Sequence, residues 1–336
     1  MKNTERFDKV LSFSKDLDRL PVIEWAGWWD KTIDNWRAQG LPKTAKTNED
    51  IKAFFGQDNL QQFWLPVRDN DCPRAQSHGA PIIINEKDYS EIKKYLFTGK
   101  LLAEIEKSIK KFQKEYSNSD FAYWITLEGF FWFPRTLFGI ENHLFAFYDY
   151  PELMQTINRD LCEYHKKCIE VVYSLITPKF MTFAEDMSYN GGPMLSREAY
   201  NEFVLPYYNE LAPGLKAKGT KVLIDTDGFV EPLIPWFLEG GIQGILPLER
   251  MAGVDVNRIR KNFPDLIMIG GYDKTVMHKG EAAMRAEFER ILPAMRSGGY
   301  IPGVDHQTPP DVSLNDYFLF NRLLKEYSEY SCKIQG

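Results

Sequence analysis

The sequence predicts an α/β protein with a (β/α)₈ barrel, the TIM-barrel class, as a single domain over residues 1–336. Two observations predict it. Short apolar runs alternate with amphipathic helical segments along the chain, which is typical of parallel βαβ units, and eight such runs are present. No low-complexity or Pro/Gly/Ser-rich linker divides the chain. Eight strands separated by helices favour a closed barrel over an open doubly wound sheet, and Gly191-Gly192 lacks the GxGxxG pattern of dinucleotide-binding folds.

The apolar runs are the candidate strands. From Phe121 onward they are nearly continuous in hydrophobicity, as expected for strands that are covered on both faces. The eight predicted strands are, in order, Leu20–Glu24, Gln62–Val67, Phe121–Leu127, Phe180–Glu185, Lys221–Asp225, Gly244–Leu248, Leu266–Gly270 and Tyr300–Val304.

The segments between the strands carry helical spacing. Apolar residues recur at intervals of three to six between Ile92 and Phe112, and a second long helical pattern runs from Leu153 to Ile176. Ser196 is placed as the N-cap of a further helix. Pro264-Asp265 ends a helix just before a predicted strand. The helices therefore alternate with the strands as a barrel requires.

Composition excludes several classes of function. The chain is 44% hydrophobic and 26% charged, which is ordinary for a globular protein. A formal net charge of −6 argues against a nucleic-acid partner, which would need a basic face. No apolar run of about 20 residues is present to span a membrane. A polar N-terminus and four cysteines without CxxC spacing indicate a cytoplasmic protein with free thiols.

Acidic side chains collect where the predicted strands end, which is where barrel enzymes carry their chemistry. Carboxylates that converge in a cavity of low polarity need a cation, a proton or a cationic substrate. Carboxylate oxygens with one imidazole suit Zn²⁺, Mn²⁺ or Fe²⁺. Each acid alone has the alternative of capping a helix, and the histidine that of a core residue. The candidates at these strand ends are Glu24, Glu185, Asp186, Tyr189, Asp225, Asp227, Glu249, Tyr272 and His306.

Among these candidates, Asp225, Asp227 and His306 are the predicted ligands of a divalent metal. Glu185 is a fourth ligand or a general base, and Asp186 is the second candidate catalytic carboxylate. Asp225 and Asp227 cannot both be the N-cap of one helix, which favours a role in a site.

Aromatic and basic residues on the same rim are candidate binding groups. Trp25, Trp28 and Trp29 after the first strand, with Trp132 after the third, suit a wall that stacks on a planar ligand, with core packing as the alternative. A substrate anion could bind to either of two arginines, and exposed ion pairing is their alternative. These arginines are Arg68 and Arg135.

The chain resembles the uroporphyrinogen decarboxylase superfamily, which includes corrinoid-dependent methyltransferases acting on coenzyme M. The clearest stretches are Gly192–Pro206, Leu223–Glu249 and Thr308-Pro309-Pro310-Asp311, and the strand order fits over nearly the whole chain. The resemblance implies the barrel fold and a divergent member, because the positions that mark each activity differ.

At the positions that mark each known activity of the superfamily, this chain carries other residues. In the decarboxylases two arginines after the first strand hold the substrate carboxylates, whereas Glu24 to Trp28 carry an acid and a ring there. The catalytic aspartate after the second strand has no counterpart in Phe63–Pro66. In the methyltransferases, zinc is held by histidine and cysteine. Asp225, Asp227 and His306 match those positions and would favour a harder ion.

We therefore expect a metal-assisted enzyme that acts on a small molecule. The resemblance implies methyl transfer linked to a corrinoid, carried on a partner protein. One alternative is a decarboxylase of a porphyrin-like or smaller acid, with the two arginines as its anion-binding groups. Another is a non-catalytic barrel that binds a cationic or planar ligand between the tryptophans and the acids.

Overall fold

A parallel β-sheet forms the centre of the molecule, seen in a computed structural model that describes residues 1–333. Seven strands build it in the order β1-β2-β3-β6-β7-β8-β9, and β4 pairs with β5 in a small antiparallel hairpin. The strands of the described chain are β1 (Leu60–Trp64), β2 (Ala122–Glu128), β3 (Phe180–Ala184), β4 (Ser188–Tyr189), β5 (Gly192–Pro193), β6 (Lys221–Asp225), β7 (Gly244–Leu246), β8 (Ile267–Tyr272) and β9 (Tyr300–Val304).

Helices cover the sheet and follow its strands in alternation. The helices within residues 1–333 are α1 (Asn3–Leu11), α2 (Asp30–Ala38), α3 (Asn48–Phe54), α4 (Glu86–Ile92), α5 (Gly99–Glu115), α6 (Trp132–Phe138), α7 (Ile140–Asp149), α8 (Pro151–Tyr173), α9 (Arg197–Phe203), α10 (Leu205–Ala217), α11 (Ile234–Glu239), α12 (Val256–Asn262), α13 (Glu281–Ser297) and α14 (Leu314–Lys333). The helical pattern from Leu153 to Ile176 is confirmed as α8. The pattern from Ile92 to Phe112 is confirmed as α5 only from Gly99 onward, because Ile92 ends α4. Ser196 is confirmed as the N-cap of α9, where its hydroxyl accepts a hydrogen bond from the Ala199 amide.

Seven of the eight predicted strands are confirmed, with bounds that differ by at most three residues. The parallel register places the carboxyl ends at one edge: Glu128 pairs with Ala184, and Ala184 pairs with Asp225. β3, β8 and β9 are buried along their whole length. Their continuous hydrophobicity follows from cover on both faces.

The predicted strand Leu20–Glu24 is wrong as a strand, because its amides bond outside any ladder. The Leu20 amide donates to the Ser328 carbonyl, and the Val22 amide donates to the Asp58 carboxylate at 2.8 Å. The Val22 carbonyl accepts from the Asp58 amide beside β1, and the Trp25 indole donates to the Val304 carbonyl of β9 at 2.8 Å. The segment therefore bonds to the loop before β1, and Trp25 after it bonds to β9, but neither extends the sheet.

Two predictions from composition can be compared with the structure. All four cysteines are free thiols, three of them buried, as the sequence predicts. No helix within residues 1–333 is long and apolar enough to cross a membrane.

Candidate functional site

A cavity of about 200 Å³ opens at the carboxyl ends of the sheet strands. β6 ends at Asp225, Asp186 lies two residues after β3, and His306 lies two residues after β9. Loops from several strands thus meet at one place, as expected for a curled parallel sheet. The cavity is lined by Trp25, Ala26, Trp64, Trp132, Ala184, Asp186, Asp225, Asp227, His306 and Gln307.

The carboxylate of Asp225 lacks a hydrogen-bond partner among the described residues, although its backbone carbonyl accepts from the Glu185 amide. Burial raises the pKa of Asp225 well above its usual value, and the nearby charges of Asp186 and Asp227 raise it further. A carboxylate in this position gains stability from a proton or from a positive ligand.

Asp186 lies beside it in an unusual backbone conformation. Its φ is 41°, in the left-handed region, which carries an energetic cost for a residue with a side chain. The Arg135 guanidinium donates to the Asp186 carbonyl at 3.2 Å and holds this turn in place. Burial raises the pKa of the Asp186 carboxyl to about 6, and the charge of Asp227 adds to the shift.

Asp227, the third aspartate of the cavity lining, contacts His306. Nε2 of His306 lies 3.4 Å from Oδ2 of Asp227, and both side chains are partly exposed. The hydrogen bond to Asp227 is the main cause that raises the pKa of His306 above its usual value. His306 therefore binds its proton more tightly than an imidazole without this partner does.

Three tryptophans complete the lining, and each is held by a specific contact. The Trp25 indole donates to the Val304 carbonyl, and the Trp64 indole donates to Oε1 of Glu128 at 2.9 Å. The Arg135 guanidinium carbon lies 5.4 Å from the ring centroid of Trp132. Because both indole N–H groups of Trp25 and Trp64 are already used, these rings offer apolar surface to a ligand.

Glu185 does not line the cavity, contrary to its predicted role. Its Oε1 accepts from the Phe130 amide at 2.9 Å, and its Oε2 accepts from the Phe131 and Trp132 amides. The Tyr208 hydroxyl donates to the same carboxylate. Burial raises the pKa of Glu185 to about 7. Glu185 thus fixes the start of α6, which carries Trp132, and has no oxygen left for a metal.

Two further candidates belong to the protein interior. Trp28 is buried against Trp36 and Tyr317, with ring centroids 5.8 Å away in both cases. Tyr272 is fully buried, and its hydroxyl donates to the Met284 carbonyl at 3.3 Å. Both rings are packed in the core, and neither lines the cavity.

The other candidates of the first loop, Glu24 and Trp29, do not line the cavity. Trp29 is 46% exposed at the start of α2. Glu24 is buried and accepts from the Tyr317 hydroxyl at 2.7 Å and from the Ala26 amide at 3.0 Å. Burial raises the pKa of Glu24 to about 7. Glu24 therefore holds the Trp25-Ala26 turn through its hydrogen bond to the Ala26 amide, and its side chain does not line the cavity.

The two predicted anion-binding arginines point elsewhere. Arg68 donates to the Thr136 hydroxyl and lies 5.7 Å from the Phe133 ring centroid. Arg135 lines a neighbouring pocket of about 370 Å³ together with Tyr189. As far as the structure describes the chain, no lysine or arginine lines the acidic cavity.

Glu249 does not line the cavity either. Its Oε2 accepts a hydrogen bond from the Gly228 amide at 3.0 Å, at the start of the turn that follows Asp227. Glu249 thus positions this turn.

The predicted four-ligand metal site does not assemble. Within residues 1–333, no group of three or more His, Cys, Asp and Glu side chains is arranged to hold a metal ion. Glu185 is occupied by backbone amides, and Nε2 of His306 faces Asp227. The donor types suit a divalent metal, but their arrangement does not.

Two lining residues were missed from the sequence. Trp64 is the last residue of β1, but the predicted strand continued to Val67 and placed it in the middle of a core strand. The rule that side chains at strand ends face the site would have found it with the correct bound. Gln307 follows His306 and donates to the Ala26 carbonyl at 3.3 Å.

Comparisons with known proteins agree with this architecture. The sequence model of the uroporphyrinogen decarboxylase (URO-D) family matches residues 79–327. The chain is 31% identical over 134 residues to a uroporphyrinogen decarboxylase of Pseudomonas paraeruginosa, covering 36% of this chain and 35% of that protein. It is 28% identical over 151 residues to one of Alcanivorax borkumensis, covering 41% and 40%. The aligned stretches thus span less than half of these relatives.

A solved structure extends the likeness to the whole fold. A methyltransferase from Methanosarcina mazei superposes with a TM-score of 0.66, covering 97% of this chain and 99% of that chain at 13% identity. At this identity the likeness concerns the fold alone.

Proposed function

Because this chain belongs to the uroporphyrinogen decarboxylase family, we propose that it is a methyl-transferring enzyme with the acidic cavity as its active site. One observation carries the proposal. Three carboxylates and three tryptophans line a single cavity at the carboxyl ends of the strands, where barrel enzymes place their chemistry. We also propose that residues 20–24 take the eighth position of the barrel, between β9 and β1.

The charge of the cavity favours methyl transfer over decarboxylation. A decarboxylase of this family must hold a carboxylate substrate, and three aspartates would repel it. Arg68 and Arg135, the candidates for that task, bond to Thr136 and to the Asp186 carbonyl instead. A neutral or cationic substrate meets no such repulsion.

The methyl group itself is suggested by the fold. The family includes the decarboxylases matched in sequence, and the superposed methyltransferase supports the second activity as the one to test. A corrinoid on a partner protein, when bound, would accept or supply the methyl group. Exposed aromatic rings near the cavity mouth, at Trp64 and Tyr189, offer apolar surface for such a partner.

A divalent metal at Asp225, Asp227 and His306 does not fit the observed arrangement, so no step is assigned to one. The side chains have other tasks. Asp225 supplies an unpartnered carboxyl group that a positive ligand holds in its charged form, and His306 with Asp227 holds or releases a proton. Trp25 and Trp132 exclude water and orient the ligand.

The proposed function is tested by a methyl-transfer assay. Purified protein is incubated with candidate methyl donors and a reduced free corrinoid, and methylation of the corrinoid is followed by its absorbance. We expect turnover that falls at least about 100-fold in Asp225→Asn, because the charge facing the substrate is lost. Turnover of uroporphyrinogen by the same preparation would contradict the proposal.

A further inference from the structure

We propose that the positive charge which the cavity accepts is a methylated organic cation, a quaternary ammonium or tertiary sulfonium group. This inference rests on the proposed function, since the cation is the methyl donor. Asp186, Asp225 and Asp227 supply the charge that attracts it, and Trp25, Trp64 and Trp132 supply the faces that contact it.

The charges of the cavity favour a cation. Asp225 has no hydrogen-bond donor for its carboxylate among the described residues, and Asp186 and Asp227 lie close enough for mutual repulsion. Within residues 1–333, the imidazole of His306 is the one basic group in the lining, and it is paired with Asp227. A cation that enters the cavity therefore gains attraction from two further carboxylates.

The aromatic faces of the lining also favour a methylated cation. Attraction to an aromatic face is strongest for tryptophan, and it suits a cation whose charge is spread over methyl groups. The indole N–H groups of Trp25 and Trp64 already donate to Val304 and Glu128. The rings thus have no hydrogen bonds to offer a metal-bound water or an anion, but their faces remain available.

The size of the cavity favours a small ligand. A cavity of about 200 Å³ is smaller than the roughly 300–1,000 Å³ of pockets for drug-sized ligands. It suits a compact headgroup carrying a few methyl groups better than a porphyrin-like ring.

The reaction needs a nucleophile that accepts the methyl group, and we propose a reduced corrinoid for this role. The bond between the methyl carbon and the nitrogen or sulfur breaks, and that atom keeps the electron pair. The methyl carbon bonds to the electron pair of the acceptor. The donor leaves as a tertiary amine or as a sulfide, which carries this electron pair.

The test compares choline with 3,3-dimethyl-1-butanol, which has the same shape without the charge. Isothermal titration calorimetry on the full chain is expected to show choline binding at least about tenfold more tightly. Equal affinities, or no binding of choline at about 10 mM, would overturn the proposal.

Two matched pairs of variants locate the site. Asp225→Asn is expected to weaken choline binding about tenfold, while Asp30→Asn, which removes a surface charge outside the cavity, leaves it unchanged. Trp25→Leu is expected to weaken it similarly, while Trp29→Leu does not. Circular dichroism shows whether each variant is folded. Equal effects within a pair contradict the assignment.

The failure of this inference differs from failure of the proposed function. If the protein transfers a methyl group from a neutral methyl ether but does not bind choline, the proposed methyl-transfer function stands and the proposed cationic donor is wrong. If the protein binds choline selectively but transfers a methyl group from no donor, the proposed cation site stands and the proposed methyl-transfer function is wrong.

Discussion

Oδ2 of Asp227 and Nε2 of His306 lie 3.4 Å apart, although they follow strands that are not neighbours in the sheet. Asp227 follows β6 and His306 follows β9, with β7 and β8 between them. The contact forms because the sheet curls and brings these strand ends across one mouth. Chemistry that is scattered over about 80 residues of sequence, from Asp227 to His306, is thus gathered in one cavity.

The first prediction concerns the pH dependence of cation binding. Asp186, whose pKa is raised to about 6, is protonated below that pH and loses its attraction for a cation. His306 becomes positively charged as pH falls, which acts in the same direction. Choline affinity should therefore rise between pH 5 and pH 8, as measured by calorimetry. The charged and titratable groups that face Asp186 are Arg135, Asp225, Asp227 and His306.

Asp186→Asn is the control for that dependence. The variant lacks the carboxyl group that titrates near pH 6, so its affinity should change less over the same range. An affinity for choline that falls with rising pH in the wild-type protein would contradict the assignment.

The second prediction separates Trp28 from Trp29. Trp28 is buried among aromatic rings, so Trp28→Ala should lower the free energy of unfolding by about 3–5 kcal/mol. Trp29 is 46% exposed, so Trp29→Ala should change it by less than about 0.5 kcal/mol. Chemical denaturation measures both. Similar losses in the two variants would show that Trp29 also packs into the core.

These two residues also show what sequence can and cannot predict here. The strands from Ala122 onward are recognisable because burial on both faces makes them continuously apolar. Which of three tryptophans within Trp25–Trp29 faces a cavity depends on a loop conformation that no periodicity describes. In the structure only Trp25 of the three lines it.

The acids follow the same logic. Residue type and strand ends predict an acidic mouth, and Asp186, Asp225 and Asp227 are found there. Glu185 differs from Asp186 by one position, yet it faces the amides that begin α6. The positive φ of Asp186 separates the directions of these neighbours. A backbone conformation of this kind cannot be derived from composition.

The third prediction concerns stability and the buried carboxyl of Glu24. Its pKa is raised from 4.5 to about 7, so the folded protein binds this proton more tightly than the unfolded chain does. The stabilisation is fully present below about pH 4.5 and is lost as pH rises to about 7. At about 1.4 kcal/mol per pKa unit, the loss is about 3 kcal/mol.

Glu24→Gln is the comparison for this prediction. The amide does not titrate, so the free energy of unfolding of the variant should fall less than that of the wild type between pH 4.5 and 7. Urea denaturation at a series of pH values measures the difference. Parallel curves for the two proteins would contradict the assigned pKa.

The fourth prediction concerns metal content. Since no three of the predicted ligands are arranged around one point within the described chain, protein purified without chelator should carry no stoichiometric metal that depends on Asp225. Elemental analysis of the wild type and of Asp225→Ala and His306→Ala should give equal, low values. One Zn, Mn or Fe per chain in the wild type that is lost in both variants would contradict this prediction and show that the metal site exists.

The most direct measurement is a crystal structure of the protein grown with tetramethylammonium. The predicted result is density for the cation inside the cavity, in contact with the faces of Trp25 and Trp132 and within a few ångströms of Asp225. A metal ion held by Asp225, Asp227 and His306, or a cation found only outside the cavity, would contradict the account.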